Sequence, residues 1–347
     1  MAIECLYFGE KNAFSKRING IVEEVGCRLE NPSIHKKDEG GDYRGIFVIQ
    51  LDELGGNNEF HNWLLSKKRE SPSYFDKSIV GLIIKSDCVY YTKKFASNIV
   101  FLLNEMGARI LGHSVIEFIK NYENLKKWEL AENLSTEGVI QLMVRRLLNR
   151  ISEYSYTKKE VPKILVLHAG THEKSNTLAL WRMVRQHIPH DNITEFHVEE
   201  GTAIDCYGCS FDTCTYYSTH NSCLYGGVIT EELLPLIEAS DVIVWICPNY
   251  NDAISAKLSA VINRLTVLYR RVSFNEKKIY TLIVSANSGS DSVASQLIDA
   301  LIINKGFQLP PNFALTALAS DQGSILKVPS IEKESESFAQ RLVAECL

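Results

Sequence analysis

Apolar residues in this chain gather into short unbroken blocks: CLYF at residues 5–8, IFVI at 46–49, IVGLII at 79–84, ILVL at 164–167, VIVWIC at 242–247 and IYTLIV at 279–284. Each block is short and bounded by polar residues, as buried parallel strands are. Between them lie longer stretches with apolar positions three and four apart, the stripe of an amphipathic helix. In the first half this pattern predicts strands at 4–8, 45–50 and 79–85, with helices near 13–25, 59–66, 93–106 and 138–151. The segment YSYTKKEV, residues 154–161, carries neither periodicity and precedes Pro162, so it reads as a linker. Strands then restart at 163–168, 193–198, 241–247, 278–285 and 313–319, with helices between them and a last helix from about residue 331.

Strands alternating with helices predict an α/β chain whose parallel sheets are covered on both faces. The expected architecture is two tandem flavodoxin-like doubly wound domains, at 1–155 and 162–347. In such sheets ligands sit beyond the carboxyl ends of the strands, at the switch point. A length of 347 residues suits two domains, and 45% hydrophobic with 23% charged residues is ordinary globular usage. A net charge of -5 without a long basic block argues against a nucleic-acid partner. No apolar run reaches the ~18 residues of a membrane span, and MAIECLYFGEKNAF lacks a signal-peptide core, so a cytoplasmic protein with no membrane partner is expected.

Three loops of the second half carry candidate chemistry. HAGTHEKSNT, residues 168–177, runs from a strand into a helix. Its Gly170, Thr171, Ser175, Asn176 and Thr177 lie where helix N–H groups and the dipole favour a phosphate, although Ser175 equally reads as a plain helix cap. CPNYNDAIS, residues 247–255, stiffens a strand exit with Pro248, and Asn249, Tyr250 and Asn251 can meet a flat heterocycle. Arg264, in the following helix, reads as a solvated charge. SANSG, residues 285–289, is small enough for the backbone around Asn287, Ser288 and Gly289 to approach a ligand closely.

From about 162 to 322 the sequence resembles the NADPH-dependent FMN reductases of the flavodoxin-like superfamily, including the iron–sulfur flavoproteins. The strand with HAGTHEKSNT, the CYGC segment and CPNYNDAISAKLSAVINR carry the resemblance in the family's order and spacing. It implies FMN with its phosphate in the first loop, His168 included, and its ring against the other two. His168 to His172 replace the family's usual glycine-serine-proline-arginine start, so no arginine meets the phosphate there. NAD(P)H is the implied reductant, and a quinone, nitro or azo compound, or free flavin, the implied small acceptor. Flavin N5 carries the reaction, so no side-chain acid or base is required.

Cys206, Cys209, Cys214 and Cys223 are separated by two, four and eight residues. Four thiolates so close in sequence suit a [4Fe-4S] cluster or a tetrahedral zinc, and equally suit structural or redox thiols. A cluster would make the chain an electron-transfer module between a ferredoxin-like partner and FMN. The first domain has only Asn12 and Ser15 as phosphate donors in its first loop and SDCVYYTKKF in place of a proline-tyrosine turn. It reads as a degenerate copy used for docking or dimerisation, with a homodimer as the expected assembly. Tyr90, Tyr91 and Thr92 are its remaining ligand candidates, and the run containing His113, Glu117, Asn121 and Trp128 has no assignment.

Overall fold

The structure is a computed structural model that describes residues 3–32, 42–156, 159, 161–170, 175–189, 191–199 and 203–345. The chain divides into two compact units, Met1–Tyr156 and Thr157–Leu347.

In the first unit the elements are β1 (Glu4–Phe8), α1 (Ala13–Glu23), β2 (Leu29–Glu30), β3 (Arg44–Gln50), α2 (Asn58–Glu70), β4 (Ile79–Lys85), α3 (Thr92–Glu105), β5 (Val115–Phe118), α4 (Lys126–Glu132) and α5 (Thr136–Glu153). The sheet order is β2-β1-β3-β4-β5, all parallel. One face takes the stripe of α1 (Phe14, Ile18, Ile21, Val22) and of α5 (Val144, Leu147, Leu148, Ile151) against Cys5, Ile46, Val48 and Ile83. An aromatic cluster lies elsewhere in the unit's core, where Phe8 meets Phe60 edge-on at 4.9 Å and Trp63 lies 5.2 Å from Phe47. Burial of each such side chain is worth about 1.5–3 kcal/mol before chain entropy is subtracted.

The second unit repeats the plan with β6 (Ile164–His168), α6 (Asn176–Arg185), β7 (Ile193–His197), α7 (Phe211–Thr219), α8 (Leu234–Ala239), β8 (Val242–Pro248), α9 (Ala256–Tyr269), β9 (Lys278–Ser285), α10 (Ser290–Leu297), β10 (Ala314–Leu318) and α11 (Ile331–Ala344). Its parallel order is β7-β6-β8-β9-β10. Both sheets thus have the 2-1-3-4-5 order of the flavodoxin-like doubly wound fold, with two crossovers diverging from the first strand. In β8, Val242 to Cys247 are buried, as a strand covered on both faces requires.

Two parts of the unassigned run in the first half prove to be structured. Glu117 lies in β5, a four-residue edge strand whose burial alternates and so gives no unbroken apolar block. Asn121 and Tyr122 follow with left-handed backbones (φ 50° and 62°), and Trp128 lies in the short α4. His113 also has a positive φ, of 56°.

Candidate functional site

Because β6, β8 and β9 are adjacent and parallel, their carboxyl ends bring the three polar loops to one edge of the second sheet. Each loop is held by its own residues. Ser175 caps α6, its Oγ accepting from the Leu178 N–H at 3.2 Å, and Thr177 is buried in the first turn. Gly170 packs so closely on this cap that a β-carbon there would lie 3.2 Å from Ser175 Oγ. His168 is buried at the end of β6, where its ring stacks on His197 of β7 at 4.7 Å with 8° between the planes. Thr171 lies outside the described residues.

Asn176, at the start of α6, bonds to the segment after β10. Its Nδ2 donates to the carbonyls of Ala319 (3.2 Å) and Asp321 (2.8 Å), while its Oδ1 accepts from the Gly323 N–H at 2.9 Å. The side chain therefore ties the start of α6 to the turn after β10.

The β8 and β9 loops form one bonded unit. Pro248 ends β8, and the Asn249 Nδ2 donates to Ser285 Oγ (2.9 Å), the Ser288 carbonyl (2.9 Å) and Asp252 Oδ1 (3.1 Å). Asn249 Oδ1 accepts from the Asp252 N–H at 2.7 Å. Gln296 completes the clamp from α10, donating to the Asp252 carbonyl at 2.8 Å and accepting from the Ile254 N–H at 3.2 Å. Gly289 has φ +84°, which favours glycine, and a β-carbon there would fall 1.8 Å from Asp252 Oδ1 as that side chain now stands. Asn251 and Asp252 both take left-handed backbones (φ 54° and 58°) in the turn. Tyr250 stands on its rim at 57% exposure, near-neighbour in the same loop pair to the exposed Asn287 and Ser288. Sequence reading missed Asp252, Ser285 and Gln296. Nothing in the sequence pairs these polar side chains until the two strand ends are placed side by side, where Ser285 is buried.

The four cysteines line a cavity of about 330 Å³, together with Phe211, Tyr225, Asn263, Arg264 and Arg270. Ser210 caps α7, so Cys209 lies just before the helix and Cys214 within it. Desolvation, followed by the neighbouring Cys214, Cys206 and Cys223 sulfurs, pushes the Cys209 thiol up from its ordinary value. Among the described residues, no three His, Cys, Asp or Glu side chains converge to hold a single metal ion. The thiols instead surround a space.

Arg264 corrects the expectation of a solvated charge. It is 1% exposed, donates through Nη1 to Cys223 Sγ at 2.9 Å, and donates through Nη2 to the Gly226 carbonyl. The physical reason is that the loop at 223–226 folds over this turn of α9 and offers acceptors to a charge that is costly to bury alone. Arg270, further along α9, donates to Thr215 Oγ1 and lies 4.6 Å over the Phe211 ring.

In the first unit the corresponding helix start is already satisfied. Asn12 caps α1 by accepting from the Phe14 and Ser15 N–H groups, and Ser15 Oγ accepts from the Asn12 N–H at 2.9 Å. Asn12 Nδ2 also donates to Gln50 at the end of β3. Tyr90 and Tyr91 are exposed and Thr92, the first residue of α3, is buried.

The second unit is a doubly wound α/β unit with three polar loops at the carboxyl edge of its sheet. Residues 162–320 match the family model of the NADPH-dependent FMN reductases, so this segment is similar to that family. No curated protein matches the chain. Among solved structures, RosB with a bound 8-demethyl-8-formylriboflavin-5'-phosphate intermediate is 15% identical, with 54% of this chain and 79% of that chain covered and a TM-score of 0.40. An FMN-dependent NADH-azoreductase from Bacillus anthracis str. Ames Ancestor, in complex with FMN, is 13% identical (52% and 99% covered, TM-score 0.39). An NAD(P)H:quinone oxidoreductase from Methanothermobacter marburgensis is likewise 13% identical (52% and 96% covered, TM-score 0.39). No helix among the described residues is long and apolar enough to cross a membrane.

Proposed function

We propose that the second unit holds FMN at the carboxyl edge of its sheet and reduces a small electron-poor acceptor with electrons from NAD(P)H. When bound, FMN supplies the electron transfer between the two substrates. The observation that carries this reading is the meeting of three polar loops at the ends of the adjacent strands β6, β8 and β9. The donor chemistry fits the cofactor: Ser175 and Thr177 stand at a helix start, where a phosphate is favoured. The exposed Tyr250, Asn251, Asn287 and Ser288 form an aromatic and polar rim suited to a flat heterocycle. Tyr250 would shield the ring from water, while Asn249 and Gln296 hold the loop that positions it. Quinones, nitro or azo compounds and free flavin are the acceptor class, and a homodimer is the assembly. The test is the visible spectrum of the purified protein and its bleaching by NADPH without oxygen. A colourless protein that neither takes up added FMN nor oxidises NAD(P)H would overturn the reading.

A second reading adds a [4Fe-4S] centre on Cys206, Cys209, Cys214 and Cys223, passing electrons between FMN and a ferredoxin-like partner. The observation in its favour is that all four thiols line one cavity, large beside the ~30 Å³ of a single water. A space of that size suits a polynuclear group better than one zinc ion. Iron and sulfide analysis of anaerobically purified protein, expected at about four irons per chain, separates it from a flavin-only enzyme.

A further inference from the structure

Arg264 presents an energetic problem that its visible bonds do not solve. A guanidinium 1% exposed has lost its hydration, yet two of its partners are a cysteine sulfur and one carbonyl, and its Nε is buried without a hydrogen bond among the described residues. A buried cation needs a compensating anion, or it destabilises the fold strongly. Arg264 lines the cavity of the four cysteines, and Arg270 lines it from the C-cap of α9, six residues further on. Its carboxylate neighbours do not supply the missing charge, since no ion pair of Arg264 or Arg270 with Asp or Glu occurs among the described residues. The four cysteine sulfurs that share the cavity would supply that negative charge as thiolates ligating a metal centre.

We infer that Arg264 is a positioning and charge-compensating residue for a cysteine-ligated iron–sulfur centre, with Arg270 as its partner at the rim. The inference rests on the second reading above and deepens it. Thiolate ligation leaves a cluster with net negative charge, and hydrogen bonds to its sulfurs and nearby charge set its reduction potential. The Nη1–H bond to Cys223 Sγ supplies the first of these, and the two guanidiniums supply the second. Both stabilise the more negative, reduced form, so they raise the potential. The N–H to sulfur bond also orients Cys223, the ligand furthest along the chain from the other three.

The experiment uses the full chain purified without oxygen. Iron and sulfide are measured, and the reduced cluster is followed by electron paramagnetic resonance during a redox titration, so that flavin reduction is not mistaken for it. Arg264→Met should keep iron but shift the midpoint to lower potential by at least a tenfold change in the one-electron equilibrium, 59 mV. Arg264→Lys, which keeps the charge but cannot reach both Cys223 and Gly226, should recover part of that shift. Arg270→Met, at the more open end of the cavity, should move the midpoint the same way by less. If Arg264→Met does not fold, Arg264→Lys and Arg270→Met carry the test. A full iron content with unchanged midpoints in the folded variants overturns the role of Arg264, even if their melting temperatures fall. Wild-type protein without iron, or with zinc instead, overturns the cluster reading itself.

Discussion

Asn249 commits its whole amide to the two loops at the end of the sheet, donating to Asp252, Ser285 and Ser288 and accepting from the Asp252 N–H. With each neutral hydrogen bond worth about 1 kcal/mol net, Asn249→Ala should cost about 2–3 kcal/mol in denaturant unfolding. It should also weaken FMN in a flavin titration, because the loop that carries Tyr250 loses its anchor. Tyr250→Ala is the complement. At 57% exposure its ring contributes little to the core, so the fold should survive while FMN loosens and its bound emission brightens. Unchanged affinity and emission would remove Tyr250 from the site. The loops were legible in the sequence because Pro, Asn and Gly after an apolar block mark a strand exit. Arg264 was not, because its acceptors lie 41 and 38 residues away in a loop without periodicity.

A helix start is the other half of the proposed site. The Ser175 cap on α6 should contribute about 1 kcal/mol, which Ser175→Ala would remove from thermal stability whether or not a phosphate binds. Thr177→Val separates the two roles, since it keeps the buried shape and deletes only the hydroxyl. If Thr177 donates to the FMN phosphate, affinity should fall about tenfold, the value of a charge-assisted bond of about 1.5 kcal/mol, as read by flavin titration. Equal affinity in wild type and variant would leave Thr177 as packing alone. Among the elements, the central strands β3, β4, β8 and β9 were plain in the sequence because burial on both faces demands unbroken apolar runs. The edge strand β5 and the helix α7 were hidden, the first by its alternation and the second by a surface rich in Tyr, Thr and Ser.

At the scale of the whole chain, the two units have the same strand order but different helix starts. The capping box of Asn12 and Ser15 uses the donors that a phosphate would need in the first unit. The expected stoichiometry is therefore one FMN per chain, to be read from the flavin absorbance against protein concentration; two would refute the asymmetry. Buried thiols give a second global expectation. Burial pushes Cys247, in β8, from its ordinary 9.0 to about 12. Below pH 9 folded and unfolded chains both keep this proton and the stability is complete. Between 9 and about 12 only the unfolded chain releases it, so stability should fall by up to ~1.4 kcal/mol per pH unit from this group. Denaturant unfolding at pH 8 and pH 10 should show Cys247→Ala losing less over that interval than wild type. An identical loss in both proteins would show that Cys247 does not contribute to alkaline sensitivity.

The contact between Gly289 and Asp252 has a consequence for inheritance. A β-carbon at 289 would sit on the Asp252 carboxylate, and the +84° backbone angle disfavours one independently. A lineage that gains a side chain at 289 must turn or shorten the side chain at 252 or shift its loop, and in shifting the loop it moves Tyr250. The two positions, 37 residues apart in the chain, are thus coupled, since a side chain at 289 requires the one at 252 to give way.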